Sequence, residues 1–413
     1  MHADLFKEQA IRWADQFDHC CVLDSNGYED PYGRYDLLIA AGVQHVCCSG
    51  FEDLMVFYEK HRSWMFGYLG YDLKNQIENL NSSNPDGLGF PESFFFVPEH
   101  VVVVRNGKPE VLLGSPEVLD NIKAFAGLPT VEVASELSIQ AAMSKEAYMN
   151  KVAGIQQHIM RGDIYELTFC QEFFAENAHI DPLQTFTQLN AISPMPFAGY
   201  LKLDGKYILS ASPERFLCKR GGRLVSQPIK GTAARGSNSA EDLEIREKLR
   251  NDLKEQTENV MIVDLVRNDL TKSALPGSVQ VTELFGIYSF PKVHQMISTV
   301  ACDLNPAVHC IDAIKQAFPM GSMTGAPKIR AMELIEEYES SKRGPYSGAV
   351  GYFSPHGDFD LNVIIRSLMY NAENRYLSYQ VGGAITYAAD AEKEYEECLL
   401  KASGILETIK GPR

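Results

Sequence analysis

Apolar segments in the second part of the chain come in hairpin pairs, and this order limits the folds that the chain can adopt. One pair comprises residues 347–353 and 359–369, joined by the turn His356-Gly357-Asp358. Strands joined by a short turn pair antiparallel, whereas parallel strands need a longer crossover between them. From Gly162 onward we therefore expect an α+β architecture, with large mixed or antiparallel sheets and helices packed outside them.

Residues 1–135 are predicted to form a β-rich region that is integrated with the core of the remaining chain, residues 140–413. The predicted strands of this region are residues 20–24 and 45–49, and a hairpin of residues 101–104 and 111–113 that turns at Asn106-Gly107. The boundary is expected near residues 130–138, because Ser144 then caps a regular helix that Gly162 ends.

Charge and cysteine content exclude several classes of protein. A net charge of −16 over 413 residues argues against nucleic acid as a partner, since phosphate binding needs surplus lysine and arginine. No apolar run reaches the roughly 18 residues of a membrane span, and no uncharged signal core begins the chain. The nine cysteines fit neither a disulfide framework nor a C-x-x-C zinc site. We expect a cytoplasmic protein with reduced thiols and no membrane contact.

Lys230 is a candidate nucleophile. It lies where a predicted strand, residues 223–229, meets Gly231, and such strand-to-loop corners often carry reactive groups. A lysine attacks only as the neutral amine, and an ordinary pKa of about 10.4 leaves roughly one molecule in a thousand neutral at pH 7. Burial or a nearby cation such as Mg²⁺ lowers that pKa. A solvated or salt-bridged lysine is the structural alternative.

Two predicted helices each present a pair of glutamates three residues apart, and therefore on one face. Glu255 and Glu258 lie on a helix that is expected to start near Glu241, and Glu394 and Glu397 lie on a helix near the end of the chain. Four such carboxylates would form an oxygen-rich site suited to Mg²⁺. The same spacing is typical of solvated helix faces, and the pattern alone leaves both interpretations open.

Three further segments offer groups for an anionic ligand. The glycine-rich turn 321–328 combines backbone amides with the Ser322 hydroxyl, although a plain helix cap fits it equally well. Arg366 lies within an apolar predicted strand and must meet a carboxylate of the protein or of a ligand. The segment Gly382-Gly383-Ala384 lets a ligand approach the backbone, and Lys401 follows one turn after the last glutamate pair.

Glu214 is a candidate general acid. The motif Ser212-Pro213-Glu214 follows a strand predicted at residues 207–210, and places a carboxylic acid at the edge of a sheet.

Together and in this order, these motifs resemble those of the chorismate-utilising enzymes. The resemblance covers roughly residues 144 to 405 and implies a sandwich-like β core. The stretches that carry it are Ser212-Pro213-Glu214, Pro228-Ile229-Lys230-Gly231-Thr232, residues 258–269, residues 321–328, Gly348-Ala349-Val350-Gly351-Tyr352 and residues 394–401.

The resemblance implies chorismate as the substrate and Mg²⁺ as the cofactor. Glu258 and Glu397 would hold the metal, with Glu255 and Glu394 supporting it through water. Tyr352 and Arg366 would bind the enolpyruvyl carboxylate of chorismate. The remaining implied substrate-binding residues are Gly382, Gly383, Ala384, Ser322 and Lys401.

The resemblance also implies a covalent mechanism. Lys230 would add to C2 of the ring while Glu214 protonates the departing 4-hydroxyl, with the Thr232 hydroxyl near the ring. Ammonia would then enter at C4 and expel the lysine.

Lys230 separates the branches of the family. Anthranilate synthases generally have alanine before the Gly-Thr pair, whereas the aminodeoxychorismate synthase component I branch, which serves p-aminobenzoate and folate biosynthesis, has lysine. We therefore expect 4-amino-4-deoxychorismate as the product. No cysteine lies in a G-x-C-x-G elbow, so ammonia is expected from a separate glutamine amidotransferase subunit. The alternatives are anthranilate synthase component I of tryptophan biosynthesis and a non-catalytic chorismate-binding subunit.

Two residues depart from the family pattern. Glu166 stands where the family usually has glutamine, or lysine in the isochorismate and salicylate branch. Gln295 stands where many relatives have histidine.

Overall fold

Antiparallel pairing organises the whole fold. The computed structural model describes residues 2–125 and 137–410. Within these ranges the strands form one sheet of eleven strands and one of ten, and all the strand pairs are antiparallel. The predicted α+β class with large antiparallel sheets is confirmed. The same ranges contain no helix with the length and apolar character needed to cross a bilayer.

The first sheet runs in the order β17-β9-β21-β20-β11-β10-β1-β2-β6-β7, with β8 paired to β9. Its strands, numbered along the chain, are β1 (His19–Asp24), β2 (Leu37–Ala41), β6 (His100–Arg105), β7 (Lys108–Leu113), β8 (Gln140–Ala141), β9 (Glu166–Ala175), β10 (Phe197–Leu203), β11 (Lys206–Ser212), β17 (Gly325–Ala326), β20 (Ser367–Asn371) and β21 (Tyr376–Ile385).

The second sheet runs in the order β14-β16-β13-β12-β19-β18-β4-β5-β3, with β15 paired to β16. Its strands are β3 (His45–Cys47), β4 (Met65–Leu69), β5 (Ser93–Val97), β12 (Arg215–Arg220), β13 (Arg223–Gln227), β14 (Ile229–Ala234), β15 (Gln280–Ser289), β16 (Val293–Asp303), β18 (Ala349–Phe353) and β19 (Phe359–Val363).

Twelve α-helices accompany the sheets in the described part of the chain. They are α1 (His2–Asp15), α2 (Phe51–His61), α3 (Lys74–Ile77), α4 (Val118–Ala124), α5 (Lys145–Arg161), α6 (Pro182–Ile192), α7 (Ser239–Asn251), α8 (Leu253–Thr271), α9 (Cys310–Ala317), α10 (Lys328–Tyr338), α11 (Ala391–Lys401) and α12 (Ser403–Lys410).

The central part of the first sheet is buried on both faces, which explains why a strand such as β2, Leu-Leu-Ile-Ala-Ala, is apolar throughout. In β2, Leu38 and Ala40 belong to the core cluster that also contains Phe66 of the second sheet, whereas Leu37 and Ile39 pack in the cluster on the opposite face. Side chains alternate along a strand, so each strand supplies both layers. The first sheet therefore lies between the second sheet and a layer of helices. This arrangement confirms the predicted sandwich-like β core.

The N-terminal region contributes to both sheets, through β1, β2, β6 and β7 in the first and β3 to β5 in the second. The predicted hairpin is confirmed as β6 and β7, with Asn106 and Gly107 both in the left-handed region at φ 51° and 71°. The predicted domain boundary near residues 130–138 lies mostly outside the described residues. The division into residues 1–135 and 140–413 stays a prediction.

One predicted strand is in fact two. Residues 359–369 begin as β19 in the second sheet, end there at Val363, and resume at Ser367 as β20 in the first sheet. Arg366, expected inside a strand, instead lies in this crossing with φ 53°. The left-handed conformation is costly for a residue with a Cβ and marks a position that the surrounding structure holds in place.

A buried ion pair ties α10 to the turn before it. The Arg343 guanidinium donates to Glu339 through Nε at 2.9 Å and Nη2 at 2.6 Å, and also to the carbonyl oxygens of Met323 at 2.6 Å and Thr168 at 2.9 Å. Both side chains are almost completely buried, at 1% and 4% exposure. The pair therefore fixes the backbone on either side of Ser322.

Arg343→Met should lower the free energy of unfolding by about 3–5 kcal/mol, because it leaves the Glu339 carboxylate buried without its partner. Urea denaturation measures the change. Arg330→Met is the matched control, since its pair with Glu333 is about 40% exposed at both residues and should contribute less than about 1 kcal/mol. Equal losses in the two variants would contradict the role given to burial.

Candidate active site

The candidate site forms where the chain passes twice between the two sheets. One crossing joins β11 to β12 through Pro213 and Glu214, and the other joins β19 to β20 through Arg366. The crossings are hydrogen-bonded to each other, since the Val363 amide donates to the Glu214 carbonyl at 2.9 Å and the Ala211 amide donates to the Arg366 carbonyl at 3.2 Å. Backbone pairing thus brings a carboxylic acid and a guanidinium to one cavity.

Every residue predicted for the site except Tyr352 lines this cavity. The predicted lining residues are Glu214, Lys230, Thr232, Glu255, Glu258, Ser322, Arg366, Gly382, Gly383, Ala384, Glu394, Glu397 and Lys401. They come from both sheets, from α8 and α11, and from three connecting segments, so tertiary structure assembles a set that the sequence spreads over almost two hundred residues.

Tyr352 was predicted wrongly as a site residue. Its ring lies on β18 among Tyr35, Trp64 and Phe66, with centroid distances of 6.1, 5.8 and 6.1 Å, and lines a different cavity. Aromatic packing between the sheets accounts for this orientation. The tyrosine that lines the candidate site is Tyr346.

Lys230 lies inside a strand and not at the predicted strand-to-loop corner. The predicted strand breaks at Pro228 and continues as β14, with an irregular register against β16 between Ile229 and Thr232. Gly231 has φ 98°, and a Cβ there would lie 3.1 Å from a carboxylate oxygen of Glu255. Glycine therefore permits both the turn of the backbone and the close approach of α8. The Lys230 side chain is only 10% exposed.

Glu214 has the properties of an acid at neutral pH. Its side chain is buried at 4% exposure, and the Ser322 hydroxyl donates to its Oε1 at 2.6 Å. Burial raises the pKa of Glu214 to about 7, while the Ser322 hydrogen bond and the Lys230 charge act in the opposite direction. A substantial fraction of this carboxyl is thus protonated at neutral pH.

The four predicted glutamates lie on two helices that face the cavity. The first helix begins later than expected, because the predicted segment from Glu241 breaks into α7 and α8, and Asp252 caps α8 through the amides of Lys254 and Glu255. Glu258 and Glu394 are buried at 8% and 5% exposure. Burial raises the pKa of Glu394 to about 7, and the negative charge of Glu397 is the second-largest cause of this shift. Carboxylates are therefore crowded here and favour a cation.

Comparison with known proteins identifies the family of this chain. A profile of chorismate binding enzymes matches residues 33–407. The chain belongs to the chorismate-binding enzyme family. It is therefore a chorismate-utilising enzyme.

Relatives from two branches match almost equally well. Aminodeoxychorismate synthase component 1 of Klebsiella aerogenes is 37% identical over 348 residues, which are 83% of this chain and 76% of that protein. Anthranilate synthase component 1 of Thermus thermophilus is 35% identical over 358 residues, 83% and 77% of the two chains. The crystal structure of anthranilate synthase component I from Streptococcus pneumoniae has a TM-score of 0.80 at 27% identity, covering 92% and 94%. Overall similarity thus leaves the choice of branch to individual residues.

The donor set of this family member fits Mg²⁺ by its chemistry. Within residues 2–125 and 137–410, no three histidine, cysteine, aspartate or glutamate side chains are grouped closely enough to hold a metal alone. Mg²⁺ does not need such a cage, because it keeps several waters and binds through one or two carboxylates and the substrate. The Lys254 ammonium lies 3.8 Å from Glu258 on its own helix and 3.9 Å from Glu394 on α11, so these carboxylates already attract a positive charge.

Two cationic groups that line the same cavity, Lys401 and Arg366, differ in their pairing. Lys401 donates to the Gly382 carbonyl at 2.9 Å and pairs with Glu397 at 2.8 Å. Arg366 has no carboxylate within ion-pair distance among the described residues, and burial lowers its pKa. The carboxylate that Arg366 was predicted to meet would therefore come from a ligand. Lys328, the last residue of the glycine-rich turn, lies outside the cavity lining and is bound to Asp269.

Sequence analysis missed several lining residues. Lys254 could have been found, because it is four residues before Glu258 on the same helix. Tyr346 has no periodic signal, since it precedes β18 in a loop, and Gln380 lies among apolar residues in β21.

The protonation of Glu214 gives a direct prediction. Infrared difference spectra between the wild type and Glu214→Gln should show a carboxyl group that titrates near pH 7. Ser322→Ala removes a hydrogen bond that lowers the pKa, so it should shift the midpoint to higher pH. A midpoint near the ordinary glutamate value of about 4.3 would contradict the effect of burial.

Proposed function

We propose that the chain converts chorismate and ammonia to 4-amino-4-deoxychorismate, as component I of aminodeoxychorismate synthase. The observation that carries this proposal is Lys230, which lines the same cavity as Glu214 and is nearly buried. The anthranilate branch generally has alanine at this position, and an alanine cannot form a covalent intermediate. The product then feeds p-aminobenzoate and folate biosynthesis.

Substrate binding requires local positive charge, because chorismate carries two carboxylates and the protein has a net charge of −16. Arg366, which has no ion-pair partner in the part of the chain that the structure describes, would bind the enolpyruvyl carboxylate beside Tyr346. Glu258 and Glu397 would hold Mg²⁺, with Glu255 and Glu394 supporting it through water, and the metal would neutralise the ring carboxylate. Gly383 and Ala384 offer backbone groups, and the Thr232 hydroxyl lies on the same strand as the lysine.

The chemistry divides one displacement into two steps. The Lys230 amine forms a bond to C2, the ring double bonds shift, and the C4–oxygen bond breaks as Glu214 gives its proton to the departing hydroxyl, which leaves as water. Ammonia then adds at C4, the double bonds shift back, and the Lys230 amine leaves C2. Glu214 takes a proton from the new ammonium group, and the enolpyruvyl group stays attached throughout.

Ammonia is proposed to come from a separate glutamine amidotransferase subunit. No cysteine lines the cavity, and all the cysteines except Cys48 are buried. A glutaminase nucleophile must be accessible to glutamine, which the eight buried cysteines are not, and the exposed Cys48 does not lie in a G-x-C-x-G elbow. Nine unpaired cysteines also support a reducing compartment, the cytoplasm.

Anthranilate synthase component I is the second candidate, since the Thermus thermophilus relative is 35% identical. It would use the same cavity and metal but eliminate pyruvate. The two functions differ in product, so one assay separates them.

The protein incubated with chorismate, ammonium and Mg²⁺ should form 4-amino-4-deoxychorismate without releasing pyruvate. Lys230→Ala should reduce the rate about a thousandfold or more, because the covalent route is lost. Chromatography with lactate dehydrogenase-coupled detection of pyruvate measures both. Lys219→Ala, a lysine outside the cavity, is the control. Fluorescent anthranilate with stoichiometric pyruvate would establish the second candidate instead.

Removal of a metal ligand gives an independent prediction. Glu258→Gln should weaken Mg²⁺ binding about tenfold or more in calorimetry, since it replaces a carboxylate ligand by an amide. Glu247→Gln, an exposed glutamate on α7, should leave the binding unchanged. Equal Mg²⁺ affinity of all three proteins would contradict the assignment.

A further inference from the structure

Glu166 is a buried carboxylate that the proposed reaction does not yet use. It is the first residue of β9 and is only 1% exposed. One carboxylate oxygen lies 3.9 Å from the Lys230 ammonium nitrogen. Neither oxygen has a hydrogen-bond partner among the described residues. A carboxylate buried without hydrogen bonds is costly, so its position calls for an explanation.

The backbone holds this carboxylate in place. Glu166 pairs with Ala326 of β17, and its neighbour Tyr165 donates its amide to the Ala326 carbonyl at 2.7 Å. Any side chain in place of Gly325 would clash, because its Cβ would lie 2.3 Å from the Glu166 carbonyl oxygen. The strand start is therefore fixed against the glycine-rich turn, and the Glu166 side chain is held toward Lys230.

We propose that Glu166 is the proton acceptor of Lys230 during formation of the covalent intermediate. The inference rests on the proposed function of Lys230. The ammonium group transfers one proton to the Glu166 carboxylate, and the resulting amine uses its electron pair to form the bond to C2. When ammonia has entered at C4, the lysine leaves as the neutral amine and recovers its proton from Glu166. Both residues then return to their starting states, and no external acid or base is consumed.

Other carboxylates near Lys230 have other partners. Glu214 accepts from Ser322 and must carry a proton to act as the acid. Glu397 is paired with Lys401 at 2.8 Å and faces the metal site. Glu166 is the carboxylate within ion-pair distance of Lys230 that has no second partner in residues 2–125 and 137–410.

Electrostatics of the buried pair agree with this transfer. Burial raises the pKa of Glu166, the Lys230 charge opposes that shift, and Glu258 on α8 adds to it. In surroundings of low dielectric constant the charged pair loses solvation that the neutral pair does not need. Transfer of the proton from lysine to carboxylate is therefore easier here than in water.

The test compares Glu166→Gln with the wild type in turnover at saturating chorismate and ammonia over a range of pH. At pH 7 the variant should be about 100-fold slower, with a KM for chorismate within about twofold. The deficit should shrink about tenfold for each pH unit, because without Glu166 solvent hydroxide, whose concentration rises by that factor, must take the proton from Lys230. The ratio of the two rates removes the contribution of Glu214, which both proteins share.

Glu172→Gln is the matched control, since Glu172 is a buried carboxylate on the same strand that accepts from Ser378 at 2.6 Å and Tyr376 at 3.2 Å. Its rate relative to the wild type should not depend on pH. Glu166→Asp, which retains a base one methylene further away, should be slowed less than Glu166→Gln. If Glu166→Gln fails to fold, Glu166→Ala, which also lacks a base, takes its place, and a wild-type rate in that variant overturns the proposal.

A Glu166→Gln rate equal to that of the wild type, or a deficit that is constant with pH or confined to KM, would overturn the role of Glu166 and leave the proposed function intact. A wild type that makes anthranilate without 4-amino-4-deoxychorismate would overturn both. The product formed by the wild type therefore distinguishes the two failures.

Discussion

Two hydrogen bonds between the sheet crossings hold the candidate site together. They fix the turn at Glu214 against the turn at Arg366. Each turn leaves its own sheet, so each depends on the other for backbone hydrogen bonds. Arg366 adopts a left-handed backbone conformation at this point, and the surrounding pairing compensates the cost. An antiparallel sandwich whose strands change sheets thus creates a cavity at the line where the sheets separate, and the cavity collects charged groups from both.

The negative and positive groups of this cavity determine together which ligands it favours. Burial raises the pKa of Glu255, and the charges of Glu258 on the same helix and of Glu397 on α11 add to this shift. Lys254, which lies near Glu258 and Glu394, opposes it. Such a site favours a divalent cation, and the cation in turn favours a substrate with carboxylates. Arg366 also lines this cavity and has no carboxylate within ion-pair distance in the described chain, so it favours the same substrate. An acidic protein can therefore bind a dianion, because positive charge is concentrated locally while the surface stays negative.

Sequence reasoning predicted the fold class and most of the site for identifiable physical reasons. Hairpin turns and helix caps are local, and the structure confirms the Asn106-Gly107 turn and the Ser144 cap. Glutamate spacing on a helix is equally local, so both pairs were found. The crossing at Arg366 has no local signal, because Ile364 and Ile365 continue the apolar run of β19. Tyr352 was misplaced because a motif gives a residue's position in the sequence and not the face of the strand on which its side chain lies.

The central claim is that Lys230 bonds covalently to chorismate, and peptide mapping by mass spectrometry tests it most directly. The protein would be incubated with chorismate and Mg²⁺ without ammonia, quenched in acid and digested. The account predicts that the peptide containing Lys230 gains the mass of chorismate less one water, with the modification on the lysine side chain. An unmodified peptide under conditions where turnover with ammonia proceeds normally, or an adduct on a different residue, would contradict it.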